Sequence, residues 1–249
     1  MKVLLLGANG YMGPHLVKVL EKFYQLRITD IMPIESEHET MVVDVTDLGQ
    51  VMEATEGMDA IINCSVLRHD RKLAFDVSAR GSYNVMRSAV NHKIQRIIQT
   101  GPWTATNGQM TFDLDFELNP DSSPSPGTEV YALTKSLGQE ICKVFTENYH
   151  SLYVQCYLFS IFVDYDDPRE GCDSNEFQLS WRDTAELFQL GLEIKLTDLP
   201  SRFEIFYPSA DLPHQKFKFD KARKILGFVP RDGFEKMWKR EQMMERKQP

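Results

Sequence analysis

Apolar residues follow two spacings along the chain. Short continuous runs at Lys2 to Leu6, Leu26 to Thr29, Met41 to Val43, Ala60 to Asn63 and Arg96 to Gln99 read as buried strands. Between them the period changes to that of a helix. Leu16, Val17, Val19 and Leu20 mark a helix over Pro14 to Phe23, and further helices are predicted over Leu48 to Glu56 and Leu73 to Asn91. Pro14 suits a first helical turn, whose N–H groups lack partners anyway. The alternation predicts an α/β fold: a doubly wound parallel sheet with right-handed crossovers and helices on both faces. From Asn107 to Thr128 the chain turns polar and proline-rich, as expected of a loop. A helix over Val130 to Asn148 and a strand over Tyr153 to Ile161 then resume the pattern.

A second break, rich in Asp, Gly and Pro, runs from Asp164 to Asn175. The reading divides the chain into a core over 1–163 and a small C-terminal substrate lobe over 164–249, packed on the core and built of shorter elements. Asp220 is expected to cap a helix that runs to Leu226 and is stopped by Gly227. Phe234, Met237 and Trp238, at helical spacing, predict a packed terminal helix.

The balance of 36 acidic against 28 basic residues gives a formal charge of −8. Such a surface repels phosphate backbones and anionic headgroups, so neither nucleic acid nor membrane is an expected partner. No apolar run approaches the roughly 18 residues of a bilayer span. The opening MKVLLLGANG has too short an apolar run for a secretion signal and reads as a buried strand. Cys64, Cys142, Cys156 and Cys172 are scattered and form no CxxC pair, which fits reduced thiols and a cytoplasmic location. The histidines show no HxH or HxxxH spacing, and no metal site is expected.

Gly7, Gly10 and Gly13 form GxxGxxG between the first strand and the first helix. One glycine permits the tight turn, one lets backbone approach a pyrophosphate, and one lets helix and strand pack closely. The intervening Asn9, Tyr11 and Met12 belong to the same phosphate-facing loop, and the helix N-terminus offers free N–H groups. This is the fingerprint of a Rossmann fold. Asp30 follows at the end of the second strand, placed to accept hydrogen bonds from ribose hydroxyls and to repel a 2′-phosphate. No Arg or Lys follows it before Met41, so NAD is expected rather than NADP. Asp44 and Val45, after the third strand, are placed to meet the adenine. Asn63, Cys64 and Ser65 put small residues where backbone passes the cofactor.

Tyr131 and Lys135 stand four apart on one helix face in YALTK. An ammonium beside a phenol favours the phenolate and makes Tyr131 a usable general acid/base toward an alcohol or carbonyl. With GANGYMG, Asp44-Val45, Gly81 to Asn84, YALTKSLGQE and FDKARKILGFVP, the chain resembles the extended short-chain dehydrogenase/reductases, the family of sugar epimerases and dehydratases. The wording LSWRDTAELF and the short C-terminal region most resemble uronate dehydrogenases. The resemblance implies an NAD-dependent oxidoreductase acting on a small sugar or sugar acid, with Ser160 near the nicotinamide. It also implies a homodimer through the helices at Leu73 to Asn91 and Val130 to Asn148.

The chain departs from the family at several positions. Pro102 falls where a catalytic Ser or Thr is expected, leaving Thr100 or Thr104 to supply the hydroxyl. Ser78 replaces an Asn that shapes a proton relay. Tyr157 stands for a family Arg, and Asp173, with Arg169 nearby, for a carboxylate-binding Arg. Trp103 and Arg182 are further candidates for substrate contact, by stacking and by charge. Two other functions fit the same residues: a nucleotide-sugar epimerase or dehydratase that keeps its NAD, and a sensor or scaffold that binds NAD without turnover.

Overall fold

The computed structural model describes residues 1–67, 69–108, 120–164, 178–212 and 219–234. In chain order these form β1 (Lys2–Leu6), α1 (Gly13–Leu20), β2 (Gln25–Asp30), β3 (Glu39–Val42), α2 (Leu48–Thr55), β4 (Ala60–Asn63) and α3 (Arg71–Phe75). A π-helical turn over Asp76–Arg80 leads into α4 (Gly81–His92), then β5 (Arg96–Pro102), α5 (Thr104–Asn107), α6 (Val130–Asn148), β6 (Tyr153–Phe159) and β7 (Ile161–Val163). The remainder comprises β8 (Gln178–Ser180), α7 (Trp181–Glu193), β9 (Phe203–Phe206) and α8 (Asp220–Leu226).

A seven-stranded sheet runs in the order β3-β2-β1-β4-β5-β6-β9. Its pairs are parallel throughout. Val3, Leu4, Leu5 and Leu6 of β1, at the centre, are inaccessible to solvent because helices cover both faces of the sheet. Val3 and Leu5 face a core with Leu16 and Leu20 of α1 and Phe188 of α7. Leu4 and Leu6 face the other, with Val51 of α2, Val85 of α4 and Cys142 of α6. The order reverses between β1 and β4, and their diverging C-terminal ends open the crevice in which such sheets bind ligands.

Helix α6 coincides with its predicted range. Helix α8 ends at Leu226 as expected, but Asp220 is its first residue and not its cap; Phe219 holds the cap position without a side-chain bond. The single helix expected over Leu73 to Asn91 is instead interrupted by the π turn at Asp76–Arg80. The expected strand through Ile161 ends at Phe159, and Ile161 opens β7, paired to β8. The C-terminal part holds more than short elements. Helix α7 has 13 residues, begun by Ser180, whose hydroxyl accepts from the Asp183 N–H. Strand β9 joins the main sheet beside β6. Of the expected terminal helix only Phe234 is described, buried and with a left-handed φ of 55°, which is not helical; the rest lies outside the described residues. None of the described helices is long and apolar enough to cross a membrane.

Candidate active site

The turn after β1 is held by backbone alone. The N–H groups of Gly7 and Ala8 both donate to the Thr29 carbonyl at 2.9 Å, and the Gly10 N–H returns to the Gly7 carbonyl. Gly7 has φ +77°, and a Cβ there would lie 2.8 Å from the Ser65 nitrogen. At Gly13 a Cβ would lie 1.9 Å from the Ala8 carbonyl oxygen, so no side chain fits between helix and turn. Side chains cap α2, α6 and α7, whereas α1 has no side-chain cap and leaves its first N–H groups to a ligand.

Asp30 closes this cradle on the β2 side. Its carboxylate accepts from the Asn9 N–H at 3.1 Å and the Met32 N–H at 3.3 Å, fixing its distance from the glycine turn. Asp44 accepts from the Thr46 N–H, and the Val45 carbonyl accepts from Asn84 Nδ2 at 2.9 Å. Val45 also packs where a Gly81 side chain would stand. These positions suit a dinucleotide: uncapped N–H groups and a side-chain-free turn for its pyrophosphate, and a strand-end carboxylate for its ribose.

Beyond the cradle lies a cleft of about 400 Å³. It is lined by Gly7, Tyr11 and Met12 from the glycine turn, and by Thr100, Pro102, Trp103 and Thr104 at the end of β5. Tyr131 and Lys135 of α6, Ser160 beyond β6, and His69 after β4 also line it. Lys135 is buried, yet its ammonium is solvated by protein: it donates to the carbonyls of Ser65 at 2.8 Å and Thr100 at 3.1 Å. That pins the cation to the ends of β4 and β5. Cys64 also lines the cleft, but burial pushes its thiol up to about 12, which leaves a poor nucleophile.

The two candidate hydroxyls differ. Thr100 Oγ1 donates to the Asn63 carbonyl at 3.0 Å, and a hydroxyl has one proton to give. The Thr104 hydroxyl lines the cleft and has no hydrogen-bond partner among the described residues. Pro102 is the last residue of β5, paired in register with Phe159, and offers neither a side-chain donor nor an N–H.

Other sequence-predicted residues fall into place less directly. The Asn63 side chain is buried, donating to Gln99 and accepting from the Ser65 N–H. Gln99 passes the chain on to Ser82, whose hydroxyl donates to the Ser78 carbonyl. Ser78 Oγ itself is buried in the π turn without a partner among the described residues. Trp103 lines the cleft while its ring packs in a buried cluster with Leu158 and Tyr207. Arg182 is not among the lining residues. Its guanidinium grips the buried carboxylate of Asp232 through two nitrogens and ties the chain after α8 to α7. Tyr157 is a core residue whose OH donates to Gln155, in a space that Gly191 leaves open. Arg169 and Asp173 lie outside the described residues.

Sequence reasoning passed over Glu129, Gln99 and Ser82. Glu129 caps α6, accepting from the Tyr131 N–H at 3.0 Å and the Ala132 N–H at 2.7 Å, and it lines the cleft. Its place one residue before the Val130 start of α6 was the available signal. Glu is an uncommon cap, so the position read as plain loop.

The chain matches the model of the NAD dependent epimerase/dehydratase family over residues 3–175. It belongs to that family. NAD is accordingly its cofactor, and the glycine turn, the uncapped α1 and Asp30 are the parts of this structure that fit it. The chain is 24% identical to the NAD-dependent glucose-6-phosphate dehydrogenase of Haloferax volcanii, across 92% of this chain and 93% of that protein. It is 27% identical to the uronate dehydrogenase of Pseudomonas syringae pv. tomato, across 59% of this chain and 55% of that one. Among solved structures, the uronate dehydrogenase of Agrobacterium tumefaciens superposes with a TM-score of 0.80 at 17% identity, covering 100% of this chain and 90% of that chain. A UDP-galactose 4-epimerase superposes with a TM-score of 0.75 at 15% identity, covering 96% of each.

Proposed function

We propose that the protein is an NAD-dependent dehydrogenase that oxidises a carbinol carbon of a small sugar or sugar acid. One observation carries this reading: Tyr131 and Lys135 line the same cleft as the glycine turn, at the C-terminal ends of β1, β4 and β5. Two of its relatives are named as dehydrogenases of a sugar phosphate and of a uronate, which supports the substrate class.

Bound NAD supplies the acceptor for the electron pair of the C–H bond. The chain's own residues handle the oxygen. Tyr131 takes the hydroxyl proton of the substrate as general base. Lys135, held by the Ser65 and Thr100 carbonyls, keeps a positive charge on this side of the cleft and favours the phenolate. Thr104 donates its hydroxyl to the reacting oxygen in the role that Pro102 cannot fill. Thr100 supports from behind, since its proton is committed to Asn63. On the cofactor side, Gly7, Asn9, Gly10, Tyr11, Met12 and Gly13 face the pyrophosphate and Asp30 the ribose. Asp44 and Val45 face the adenine, and Cys64, Ser65, Ser78 and Ser160 the nicotinamide half. Arg169, outside the described residues, is a candidate for an anionic substrate group.

The residues after Asp164 would serve as a small lobe closing the substrate side. We also propose a homodimer through α3, α4 and α6. Leu73, Tyr83, Leu137 and Val144 on these helices are exposed apolar residues. Sedimentation tests it: a monomer at micromolar concentration contradicts it.

The test of function is substrate-dependent NADH formation on a panel of aldoses, uronates and sugar phosphates. NADH formation supports the dehydrogenase. Tightly retained NAD without net reduction points to an epimerase. NAD binding with neither points to a sensor or scaffold.

A further inference from the structure

Glu129 brings a carboxylate into the cleft within two residues of Tyr131. Its two oxygens are fixed by the first N–H groups of α6, at 3.0 Å and 2.7 Å. This has two electrostatic consequences. The positive end of the α6 dipole, which would otherwise favour an anion at the cleft, is met by a fixed negative charge. A carboxylate also keeps lone pairs beyond those used in capping, and these accept bonds from hydroxyls with ionic strength. The balancing ammonium, Lys135, is spent on the Ser65 and Thr100 carbonyls. Arg182, one of the sequence's candidates for gripping an anion, is bound to Asp232, and the other, Arg169, lies outside the described residues.

We infer that Glu129 is a specificity-determining residue, selecting an uncharged sugar through its hydroxyls and rejecting sugars that carry a carboxylate or phosphate near Tyr131. This rests on the dehydrogenase reading and narrows its substrate to neutral aldoses, a departure from the two relatives named above, whose substrates are anionic. Glu129 is solvent-exposed; at an effective dielectric of about 20, like charges about 8 Å apart would change binding roughly thirtyfold, and salt screening brings this down to about tenfold.

The test uses ring-matched pairs, glucose against glucuronate and galactose against galacturonate, with the full chain and saturating NAD. For at least one pair, wild type is expected to favour the neutral sugar tenfold or more in kcat/KM. Glu129→Gln keeps an oxygen for the cap and removes the charge, and it should lower that ratio at least tenfold. Glu129→Asp keeps the charge and should retain the preference. A wild type that favours the uronate, or a ratio unmoved by Glu129→Gln, overturns the inference. If no sugar is turned over, calorimetry of the same four sugars on NADH-loaded protein decides by the same ratio. Charge-selective binding without turnover would retain Glu129's role and remove the dehydrogenase reading. Absence of any sugar binding would overturn both.

Discussion

At the end of β1 the chain's path is fixed by backbone: two N–H groups on one carbonyl of Thr29, and no room for a Cβ at Gly13. At the end of β5 position depends on side chains: a proline in the last strand residue, Thr100 bonded to Asn63, Thr104 turned to the cleft, Glu129 on the next helix. The first region carries the GxxGxxG spacing of a dinucleotide turn. In the second, Pro102 stands where the family resemblance implies a Ser or Thr. A cofactor shared by all members demands one backbone shape, so it leaves few solutions. Substrate contacts are made by side chains on a scaffold that survives their replacement.

Perturbing the backbone-built region should have the largest effect. Gly13→Ala forces a methyl into the Ala8 carbonyl, and the helix must move. Loss of NAD binding by a hundredfold or more is expected, with a stability loss of about 2–3 kcal/mol. Fluorescence titration and denaturant melts check it; normal binding would show that the turn yields more readily than its contacts imply.

Tyr131→Phe comes next. Turnover should fall by about 10²–10⁴-fold, the range of one general base, while NAD affinity stays within a few-fold. Lys135→Ala should lose both turnover and some NAD affinity, and should also lower Tm. It empties a buried site between two strand ends. Steady-state kinetics beside NAD titration separates the two outcomes.

The threonines sharpen the comparison within the substrate side. Thr104→Val should lower kcat by about a hundredfold, the cost of one lost donor to a developing oxyanion, with unchanged NAD binding. Thr100→Val removes the side-chain hydrogen bond to the Asn63 carbonyl. It is expected to lower stability by about 1–2 kcal/mol and to affect rate less than Thr104→Val. The reverse order of rate effects would transfer the role to Thr100.

The smallest effect is expected at Asp30→Ala. Loss of the carboxylate should narrow the preference for NAD over NADP about tenfold, by removing repulsion of the 2′-phosphate. Equal affinities in wild type would remove Asp30 from the ribose.

The parts of the molecule legible in the sequence are those with a one-dimensional signature. The strand runs, the glycine spacing and helix α6, with Tyr131 and Lys135 on one face, all have one. The π turn within the predicted Leu73 to Asn91 helix has none, because a one-residue widening leaves the apolar period nearly intact. Arg182 showed only a charge in sequence. Its partner, Asp232, is 50 residues away and is brought to it by the packing of the chain after α8. The same holds for the buried path from Asn63 through Gln99 to Ser82, which joins β4, β5 and α4. Glu129 was hidden for a different reason: as a cap it is unusual, and its place in the cleft depends on the fold of the β5–α6 connection.

The central claim is that Tyr131 performs proton transfer for NAD-dependent oxidation of a sugar in this cleft. The most direct measurement is NADH absorbance on the sugar panel, run in parallel for wild type and Tyr131→Phe with matched NAD occupancy. The account predicts substrate-dependent NADH from wild type on at least one sugar and a rate lowered about a hundredfold or more in the variant. Equal rates in both proteins, or no NADH from wild type on any sugar while NAD is bound, would contradict it.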